Sequence, residues 1–513
     1  MKEETKVKID YLKIIFVLLI IIGIGTRIYN FPEGIPEINV DEIITAINAK
    51  SIAETGKDIQ GQSFPIYLKG WGGQSIILLY FMTLTIKIFG YNLFAIRLPM
   101  LIISCISLFV FYDFIKKITG NKIAALIGLA LVAISPWHII QSLYALDCNM
   151  FPHFLLIAVD ILYTGIIKNK KKLIYISIFF FAITLYCYAI ALYFTPLFLL
   201  IVGIYLIRKK KIKIKDLFLC ILIFLICTWP IILTLIMNGM QIGQSISILN
   251  ITIPYYEDLN RESDVILFSK NIPAQLLVNV ITTLDTILFQ RDQLVWNAPK
   301  LFGTIYHITI IFTILGIVLR FSKNKDEKSK ITNTMLITWL CISVFDGLIT
   351  NNTTIHRMNS IWYILLIFAT LGIYEVYKEI KKKDIFLSIL AIIYAILFVS
   401  FTTYFNVYYK YEISSDICFS RGFYQTLNYL ETSDKKVVYY DNAGMDIARK
   451  EEYYIEVNND ENIEYIPLNT KKEIEEKLEN IKDNEIIIIN ANRWKENMRF
   501  AKKQIGSYAI IYK

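Results

Sequence analysis

The feature that most constrains this chain is a series of twelve apolar segments separated by short connectors rich in lysine. Each segment has roughly 17–22 residues, the length that a helix needs to cross the hydrocarbon core of a bilayer. Inside lipid only helices and closed barrels satisfy their own backbone hydrogen bonds, so the pattern predicts a bundle of membrane-spanning helices. The segments begin near Tyr11, Gln74, Leu98, Ile123, Met150, Leu173, Ala189, Leu217, Leu301, Ile331, Met358 and Ile385.

Composition agrees with a polytopic membrane protein. Of the 513 residues, 55% are hydrophobic and 14% aromatic, which is above the usual share of a soluble domain. The first apolar segment is long enough to span and lacks a small-residue cleavage site, so we predict a retained helix rather than a secretory signal. The seven cysteines mostly lie inside apolar segments without CxxC spacing, and they therefore predict neither a disulfide framework nor a zinc site.

The net charge of +9 does not indicate nucleic-acid binding, because the basic residues fall in short clusters between apolar segments. By the positive-inside rule such clusters lie in the cytoplasm. The chain has no P-loop, no GxGxxG after a strand, no HExxH and no GxSxG, so nucleotide hydrolysis, zinc proteolysis and serine hydrolysis have no support. The lysine clusters are 115–122, 168–172, 208–215, 322–330 and 377–384.

All five lysine clusters can be cytoplasmic only if one of the twelve apolar segments does not cross. Residues 74–90 carry Lys87 and follow a long polar stretch, so we predict that they lie along the outer interface or re-enter. About eleven transmembrane helices are then left. The same count places the C-terminus outside, together with the segments 32–96, 135–149, 237–300 and 351–357.

The tail from about residue 412 has a different pattern. The stretches VVYYD, EEYYIEV and NEIIIIN have the alternation of short strands, and KKEIEEKLENI that of an amphipathic helix. We therefore predict two domains. The first, 1–411, is a polytopic all-α membrane domain with a large first outer loop and juxtamembrane helices, and the second, 412–513, is a small extracytoplasmic α/β domain.

With this topology, the polar residues that could carry chemistry lie on the outer side. Carboxylates can act as a general base or bind a metal, and lysine and arginine can bind phosphate, arginine through two parallel hydrogen bonds. A reaction with a phosphate leaving group at a membrane surface needs both kinds of side chain. The candidates are Asp41, Glu42, Lys69, Arg97, His138, Asp147, His356 and Arg357.

The order of these motifs resembles that of the C-type superfamily of integral-membrane glycosyltransferases. It is most similar to the protein O-mannosyltransferase and lipid A aminoarabinose transferase families. The likeness covers about residues 10–200 and a later motif, and the C-terminal domain is only loosely comparable. The motifs are the acidic pair DE (41–42), FPIYLKGWGG, AIRLP before a crossing, SPWHI followed by an acid, and HRMNSIW (356–362).

The resemblance implies an inverting transfer of a sugar from a polyprenyl-phosphate carrier to an acceptor at the outer face of the plasma membrane. It implies that Asp41 is the general base and that Asp147 is the second-loop acid, with Glu42 orienting its neighbour. Lys69 and Arg97 match basic positions near the lipid phosphate.

One departure from the resembling families concerns the phosphate. These families often have a serine–arginine pair after the SPWH-like element, where this chain reads QSL (141–143). The pair His356 and Arg357 is our candidate for the missing charge. Residues 237–300 and the C-terminal domain are expected to contribute to the acceptor groove.

Each candidate also has a purely structural interpretation. The acids could stabilise helix N-termini, and the basic residues could anchor the chain at the lipid headgroups. His138 is better explained by an interfacial role than by metal binding. A divalent metal is left open, with Asp41, Asp147 and His138 as candidate ligands, and no other cofactor is predicted.

Two other functions fit parts of the pattern. A transporter or flippase of lipid-linked glycans should have internal repeats or ionisable residues within its spans, and here Asp160 and Asp346 are the main candidates. A non-catalytic scaffold that displays the C-terminal domain leaves the outer charges unexplained. We therefore predict a hexosyl or pentosyl transferase, whose sugar stays open and whose acceptor is a protein, a glycolipid or a cell-wall polymer.

Overall fold

The structure is a computed structural model that describes residues 11–69, 73–249, 251–256, 264–322, 326–351, 353–414, 416, 418–419, 422–430, 437–442, 455–456, 463–491 and 494–513. Within these residues nine helices are long and apolar enough to cross a membrane, and three shorter apolar helices accompany them. A small β-sheet domain follows at the C-terminus. The predicted fold class, a polytopic helical membrane domain with a small C-terminal α/β domain, is confirmed.

The elements are numbered in chain order. The helices are α1 Tyr11–Ile28, α2 Val40–Thr55, α3 Ile77–Phe89, α4 Leu93–Thr119, α5 Lys122–Ile134, α6 Pro136–Ile140, α7 Asp147–Ile167, α8 Lys171–Thr184, α9 Ala191–Arg208, α10 Ile214–Gly239, α11 Ile272–Leu284, α12 His307–Ser322, α13 Glu327–Ile349, α14 Ile361–Glu379, α15 Lys383–Tyr404, α16 Lys410–Ser414, α17 Phe423–Leu430 and α18 Lys471–Glu479. The strands are β1 Ile246–Ile248, β2 Ile251–Ile253, β3 Val437–Asp441, β4 Glu464–Leu468, β5 Glu485–Asn490, β6 Lys503–Ile505 and β7 Tyr508–Ile511.

We call the loop face the side of the helical bundle that carries residues 29–39, 135–146, 290–306 and 350–360. Helices α1, α5 and α13 end there, and α7 and α14 begin there. The C-terminal part of the chain contacts the same side, because the Val40 N–H donates to the Cys418 carbonyl at 2.8 Å. Lys50 of α2 also forms an ion pair with Glu456.

The segment predicted not to cross corresponds to helix α3, which has 13 residues and is one of the three shorter apolar helices. One helix was not predicted: α11 lies within residues 237–300, which the sequence analysis treated as an outer loop. Asn279 of α11 donates to the Leu348 carbonyl at 2.9 Å, near the end of α13. Gln290, just beyond this helix, accepts from the Thr304 N–H at 2.8 Å. On the N-terminal side of the helix, the Asp264 carbonyl accepts from the Asn351 N–H at 2.8 Å, so the chain enters and leaves α11 on the loop face.

The lysine-rich connectors lie together on the opposite side. Lys211 Nζ is 3.2 Å from Glu327 Oε2, which joins the connectors that precede α10 and α13. Lys171 Nζ is 2.8 Å from Asp216 Oδ1, which adds the connector before α8. Three of the five lysine clusters therefore meet at one face, the arrangement that the positive-inside rule requires of cytoplasmic loops.

The C-terminal sheet has the strand order β4-β3-β5-β7-β6. Strand β3 is parallel to β4 and β5, and β7 is antiparallel to β5 and β6. The predicted strands VVYYD and NEIIIIN correspond to β3 and β5, and KKEIEEKLENI contains α18. The stretch EEYYIEV lies, apart from 455–456, outside the described residues. On β5, Ile487 and Ile489 pack in a small core with Ile474 of α18, while the alternate isoleucines face the main core, as the period of a strand requires.

Candidate active site

The acidic pair lies at the start of α2, where a capping box fixes its geometry. Asn39 Oδ1 accepts from the Asp41 N–H at 2.9 Å, and the Asn39 N–H donates to Glu42 Oε2 at 2.9 Å. Such reciprocal bonds satisfy the orphan N–H groups of the first helical turn. Glu42 is thereby held in the interior with no exposed surface, while Asp41 is half-buried.

Glu42 is fully engaged with neighbouring groups. Arg97 Nε is 3.0 Å from Oε1 and Arg97 Nη2 is 3.0 Å from Oε2, which makes a bidentate ion pair with both side chains completely buried. The Ala145 N–H also donates to Glu42 Oε1 at 2.6 Å. Glu42 therefore connects the first turn of α2 to α4 and to the segment before α7, as a positioning residue beside Asp41.

Arg97 does not take the position that the sequence suggested for it. An arginine has five N–H donors, and two of those of Arg97 contact Glu42. The other three donate to carbonyl oxygens of the first loop, at 2.8, 2.6 and 2.9 Å from Pro32, Ile35 and Glu37. With every donor occupied and the side chain buried, Arg97 is not available to a lipid phosphate, and the structure does not support that role.

Asp147 is the first residue of α7 and is half-buried on the loop face. Its Oδ2 accepts from the Ser75 N–H at 3.0 Å. The adjacent Gln74 reaches α2, since its Nε2 lies 3.5 Å from the Asp41 carbonyl. The adjacent residues Gln74 and Ser75 thus contact both acids, Asp41 through its backbone carbonyl and Asp147 through its carboxylate.

Lys69 lies next to this bridge. Leu68 and Gln74 pair in antiparallel fashion, with N–H···O distances of 3.0 and 3.1 Å. Lys69 is exposed and directly follows Leu68, and residues 70–72 lie outside the described part of the chain. The backbone pairing therefore places Lys69 one residue from the partner of Gln74, close to the residues that contact Asp41 and Asp147.

A cavity of about 200 Å³ lies on the loop face between the α8–α9 junction and the segment before α14. Arg357 lines it and donates to the Asn351 carbonyl at 2.8 Å and to Asp264 Oδ1 at 3.3 Å. Among the described residues its other N–H groups meet no protein acceptor, so they can bind an anion in the cavity. Tyr67, two residues before Lys69, lines the same cavity, as do Tyr188 and Tyr193.

His356 adjoins Arg357 in the sequence but does not line this cavity. Its ring stacks on Trp296 at 5.0 Å between centroids, and its Nδ1 lies 3.2 Å from Asn297 Nδ2. The segment is held by Asp292, which accepts from the Ile355 N–H at 2.8 Å. Burial raises the pKa of Asp292, although its hydrogen bonds act in the opposite direction. His356 therefore packs the loop, and of the predicted pair Arg357 is the residue placed to bind.

His138 lies in the interior of the bundle rather than at an interface. Its Nδ1 accepts from Arg27 Nε at 3.1 Å, and its Nε2 is 2.9 Å from Ser107 Oγ and 2.8 Å from Tyr363 Oη. Both ring nitrogens are engaged, so His138 fits neither the interfacial role nor the metal-ligand role. In the described part of the chain no three His, Cys, Asp or Glu side chains form a metal-binding group, and no step below depends on a metal.

Two polar residues of this region were missed by sequence reasoning. Asp264, the partner of Arg357, stands in a long segment without a motif. Asn359 lies inside the HRMNSIW motif, which was the available signal, and its Oδ1 accepts from Gln141 Nε2 at 2.9 Å. At Gln141, where the resembling families often have an arginine nearby, the structure therefore has a neutral buried hydrogen bond.

The chain was compared with sequence-family models, with curated protein sequences and with solved structures. The family model for dolichyl-phosphate-mannose-protein mannosyltransferases matches residues 74–233. The crystal structure of ArnT from Cupriavidus metallidurans bound to undecaprenyl phosphate superposes with a TM-score of 0.58 at 8% identity, over 98% of this chain and 97% of that chain. The apo structure of the same protein gives 0.54 at 9% identity with the same coverage. No curated protein sequence matches the chain.

The fold is therefore that of the C-type superfamily of integral-membrane glycosyltransferases, as the order of motifs predicted. The particular likeness is to ArnT, a lipid A aminoarabinose transferase, along almost the whole chain, and to the mannosyltransferase family over the matched segment.

Proposed function

We propose that the protein transfers a sugar from a polyprenyl-phosphate-linked donor to a hydroxyl group of an acceptor, at the extracytoplasmic face of the plasma membrane. The observation that carries this proposal is the contact of Gln74 and Ser75 with Asp41 and Asp147 on the loop face, where Arg357 lines a cavity. A base and an anion-binding group on one membrane face are what such a transfer needs.

The chemistry is a direct displacement. Asp41 accepts the proton of the acceptor hydroxyl while that oxygen attacks the anomeric carbon. The bond from the anomeric carbon to the phosphate oxygen breaks, its electron pair leaves with the lipid phosphate, and the configuration inverts. Lys69 and Arg357 stabilise the negative charge of the departing phosphate, arginine through its fork of donors. Asp147 holds the acceptor beside Asp41.

The assignment of the base to Asp41 rests on the contrast with Glu42. A general base must reach the proton that it removes, and the Glu42 carboxylate already accepts four N–H donors in a buried ion pair. Asp41 is half-buried on the loop face, and its carbonyl oxygen lies 3.5 Å from Gln74 Nε2. The buried ion pair fixes the backbone from which Asp41 extends, which keeps the base in one orientation.

The choice of a lipid-phosphate donor has two supports. The first is the cluster of lysine connectors opposite the loop face, which favours a cytoplasmic position for the connectors and an outer position for the site. The second is the fold shared with ArnT, whose crystal structure contains undecaprenyl phosphate. A donor of this kind presents its phosphate at the membrane surface, where Lys69 and Arg357 lie.

The transporter alternative loses its main candidates. Asp160 accepts from Lys117 Nζ at 2.8 and 2.7 Å, close to the lysine connectors, and Asp346 accepts from Ser360 Oγ at 3.0 Å. Both acids connect neighbouring parts of the helical bundle, and neither lines the cavity beside Arg357. A scaffold role would leave the partly exposed Arg357 beside its cavity without a purpose.

The test is a transfer assay with purified protein in nanodiscs. The protein is incubated with a panel of polyprenyl-phosphate hexoses and pentoses and with glycolipid and peptide acceptors, and mass spectrometry scores transfer and donor hydrolysis. We expect turnover of at least one donor and its loss in Asp41→Asn. Turnover of no donor by protein that is folded and binds polyprenyl phosphate would overturn the proposal.

A further inference from the structure

Asn359 has an unusually complete set of hydrogen bonds for a buried amide. Its side chain is 1% exposed. Oδ1 accepts from Trp137 Nε1 at 3.1 Å and from Gln141 Nε2 at 2.9 Å. Nδ2 donates to the Cys148 carbonyl at 3.1 Å and to Asn149 Oδ1 at 3.1 Å. An amide offers two donor hydrogens and an oxygen with two lone pairs, so its full capacity is used.

The two bonds donated by Nδ2 join the two chain segments that carry the proposed site. Cys148 and Asn149 belong to the first turn of α7, directly after Asp147. Arg357 precedes Asn359 by two residues, in the segment that leads into α14. The Asn359 amide therefore connects the backbone that carries the acid to the backbone that carries the phosphate-binding group.

We infer that Asn359 is a positioning residue that sets the placement of Asp147 relative to Arg357. The inference rests on the proposed function, since it assigns Asn359 a role in that same site. Asn359 touches neither substrate in this view and acts through the two segments that it joins. A buried amide that loses a hydrogen-bond partner is destabilising, because its polar atoms are also shielded from water. The arrangement in which all four bonds form is therefore favoured over others, and it fixes the position of the start of α7 relative to the segment before α14.

The substitution Asn359→Asp tests the hydrogen bonds that Asn359 donates apart from those that it accepts. An aspartate keeps the size of asparagine and can still accept from Trp137 and Gln141. An ionised carboxylate cannot donate to the Cys148 carbonyl, and a protonated one has a single O–H donor in place of the two N–H donors of the amide. The variant therefore loses at least one of the two bonds to α7 and retains those to α6 and the segment after it.

The matched control is Gln141→Met. It removes one donor to Asn359 Oδ1, keeps a similar volume and leaves both bonds between Asn359 and α7. Methionine fills irregular apolar space well, so the packing should be retained. If Asn359 acts by placing α7, this control should keep turnover within about twofold of the wild type, because it does not touch the connection to Asp147.

Turnover per folded enzyme is the readout. A misplacement of about 1 Å can cost roughly a hundredfold in rate, so we expect Asn359→Asp to lower kcat by about 10- to 100-fold while the donor KM changes less than about threefold. A double variant with Asp147→Asn should fall no further than Asp147→Asn alone, since both changes remove the same contribution.

Two results would overturn the inference. The first is a kcat of folded Asn359→Asp enzyme equal to that of the wild type, and the second is a double variant in which the rate losses of Asn359→Asp and Asp147→Asn multiply. If Asn359→Asp does not fold, Asn149→Ser removes one α7 partner of the same amide and takes its place, with the same non-additivity expected. Absence of transfer by the wild type in this series would overturn the proposed function, and this inference with it. Wild-type transfer with multiplicative effects would overturn the inference alone.

Discussion

Arg97 and Glu42 form a bidentate ion pair in the interior, with Nε 3.0 Å from Oε1 and Nη2 3.0 Å from Oε2, and neither side chain has any exposed surface. The first loop folds around this pair, because three loop carbonyls use the remaining donors of Arg97. The pair therefore determines where the start of α2, and with it Asp41, lies relative to α4.

Substitution of Arg97 should act on stability before it acts on donor binding. Removal of one partner of a buried ion pair leaves the other charge unpaired, at a cost of about 3–5 kcal/mol. Arg97→Lys should lower thermal stability nearly as much as Arg97→Ala, since lysine lacks the planar fork that meets Glu42 and three carbonyls. Thermal unfolding of the purified variants in detergent measures this. Normal unfolding temperatures with weaker binding of polyprenyl phosphate would restore the phosphate role.

Asp41→Asn should abolish transfer without harming the fold. Asparagine keeps the size of aspartate but cannot accept the proton, and general-base catalysis contributes about 10²- to 10⁴-fold, so the rate should fall at least a hundredfold. Transfer per folded enzyme is measured against Glu33→Gln, an exposed acid of the same loop that should retain wild-type turnover. If Asp41→Asn keeps near-normal transfer, the base is another group and Asp147→Asn is the next variant to assay.

Arg357→Gln should weaken donor binding. A hydrogen bond to a charged group contributes about 1.5–3 kcal/mol, which corresponds to roughly 10- to 100-fold in affinity. The donor affinity of Arg357→Lys should lie between those of the wild type and Arg357→Gln, because lysine keeps the positive charge but lacks the planar guanidinium group that donates two parallel hydrogen bonds. Titration of polyprenyl phosphate into nanodiscs gives the affinities. Arg291→Gln is the control, since Arg291 is an exposed arginine of the loop face paired with Asp285 at 3.1 Å. Equal affinity of the wild type and Arg357→Gln would refute the phosphate contact.

The orientation can be tested with an impermeant thiol reagent on intact cells. Cysteines at Lys170, Lys211 and Lys382 should be shielded, because the lysine connectors are expected in the cytoplasm. Cysteines at the exposed positions Gln60 and Glu479 should be labelled. Labelling is scored above the background of the native cysteines. Labelling of the Lys211 position from outside would reverse the proposed orientation and move the site to the cytoplasmic face.

The helical membrane domain was largely predictable, because the hydropathy and the length of an apolar segment can both be read from the sequence. That helix α3 does not cross stays a prediction, made from its lysine and from the parity of the lysine clusters. Helix α11 was missed. Its sequence is as apolar as that of a membrane span, but it lies within residues 237–300, which the sequence analysis treated as an outer loop. What distinguishes it is that both of its ends lie at the loop face, and this depends on tertiary contacts. The boundary near residue 412 stays a prediction.

The acids of the candidate site could be located in the sequence, but the basic groups could not be told apart there. Arg97 and Arg357 both stand near the outer end of a helix, and both have the chemistry of phosphate binding. The fold surrounds Arg97 with five acceptors, while among the described residues Arg357, which lines the cavity, has two. His138 is a similar case, since nothing near it in the sequence reveals Arg27 and Tyr363 as its neighbours.

The sequence by itself determined the class of protein, the approximate set of helices, the side on which the lysines gather and the candidate acids, because each of these follows from local length, hydropathy or motif order. Only the tertiary structure decided which charged side chains are available. Availability depends on the acceptors that the fold brings within about 3 Å of a donor, and these come from distant parts of the chain. For that reason Glu42 and Arg97 stabilise the loop, while Asp41, Asp147 and Arg357 are the residues that we propose to act.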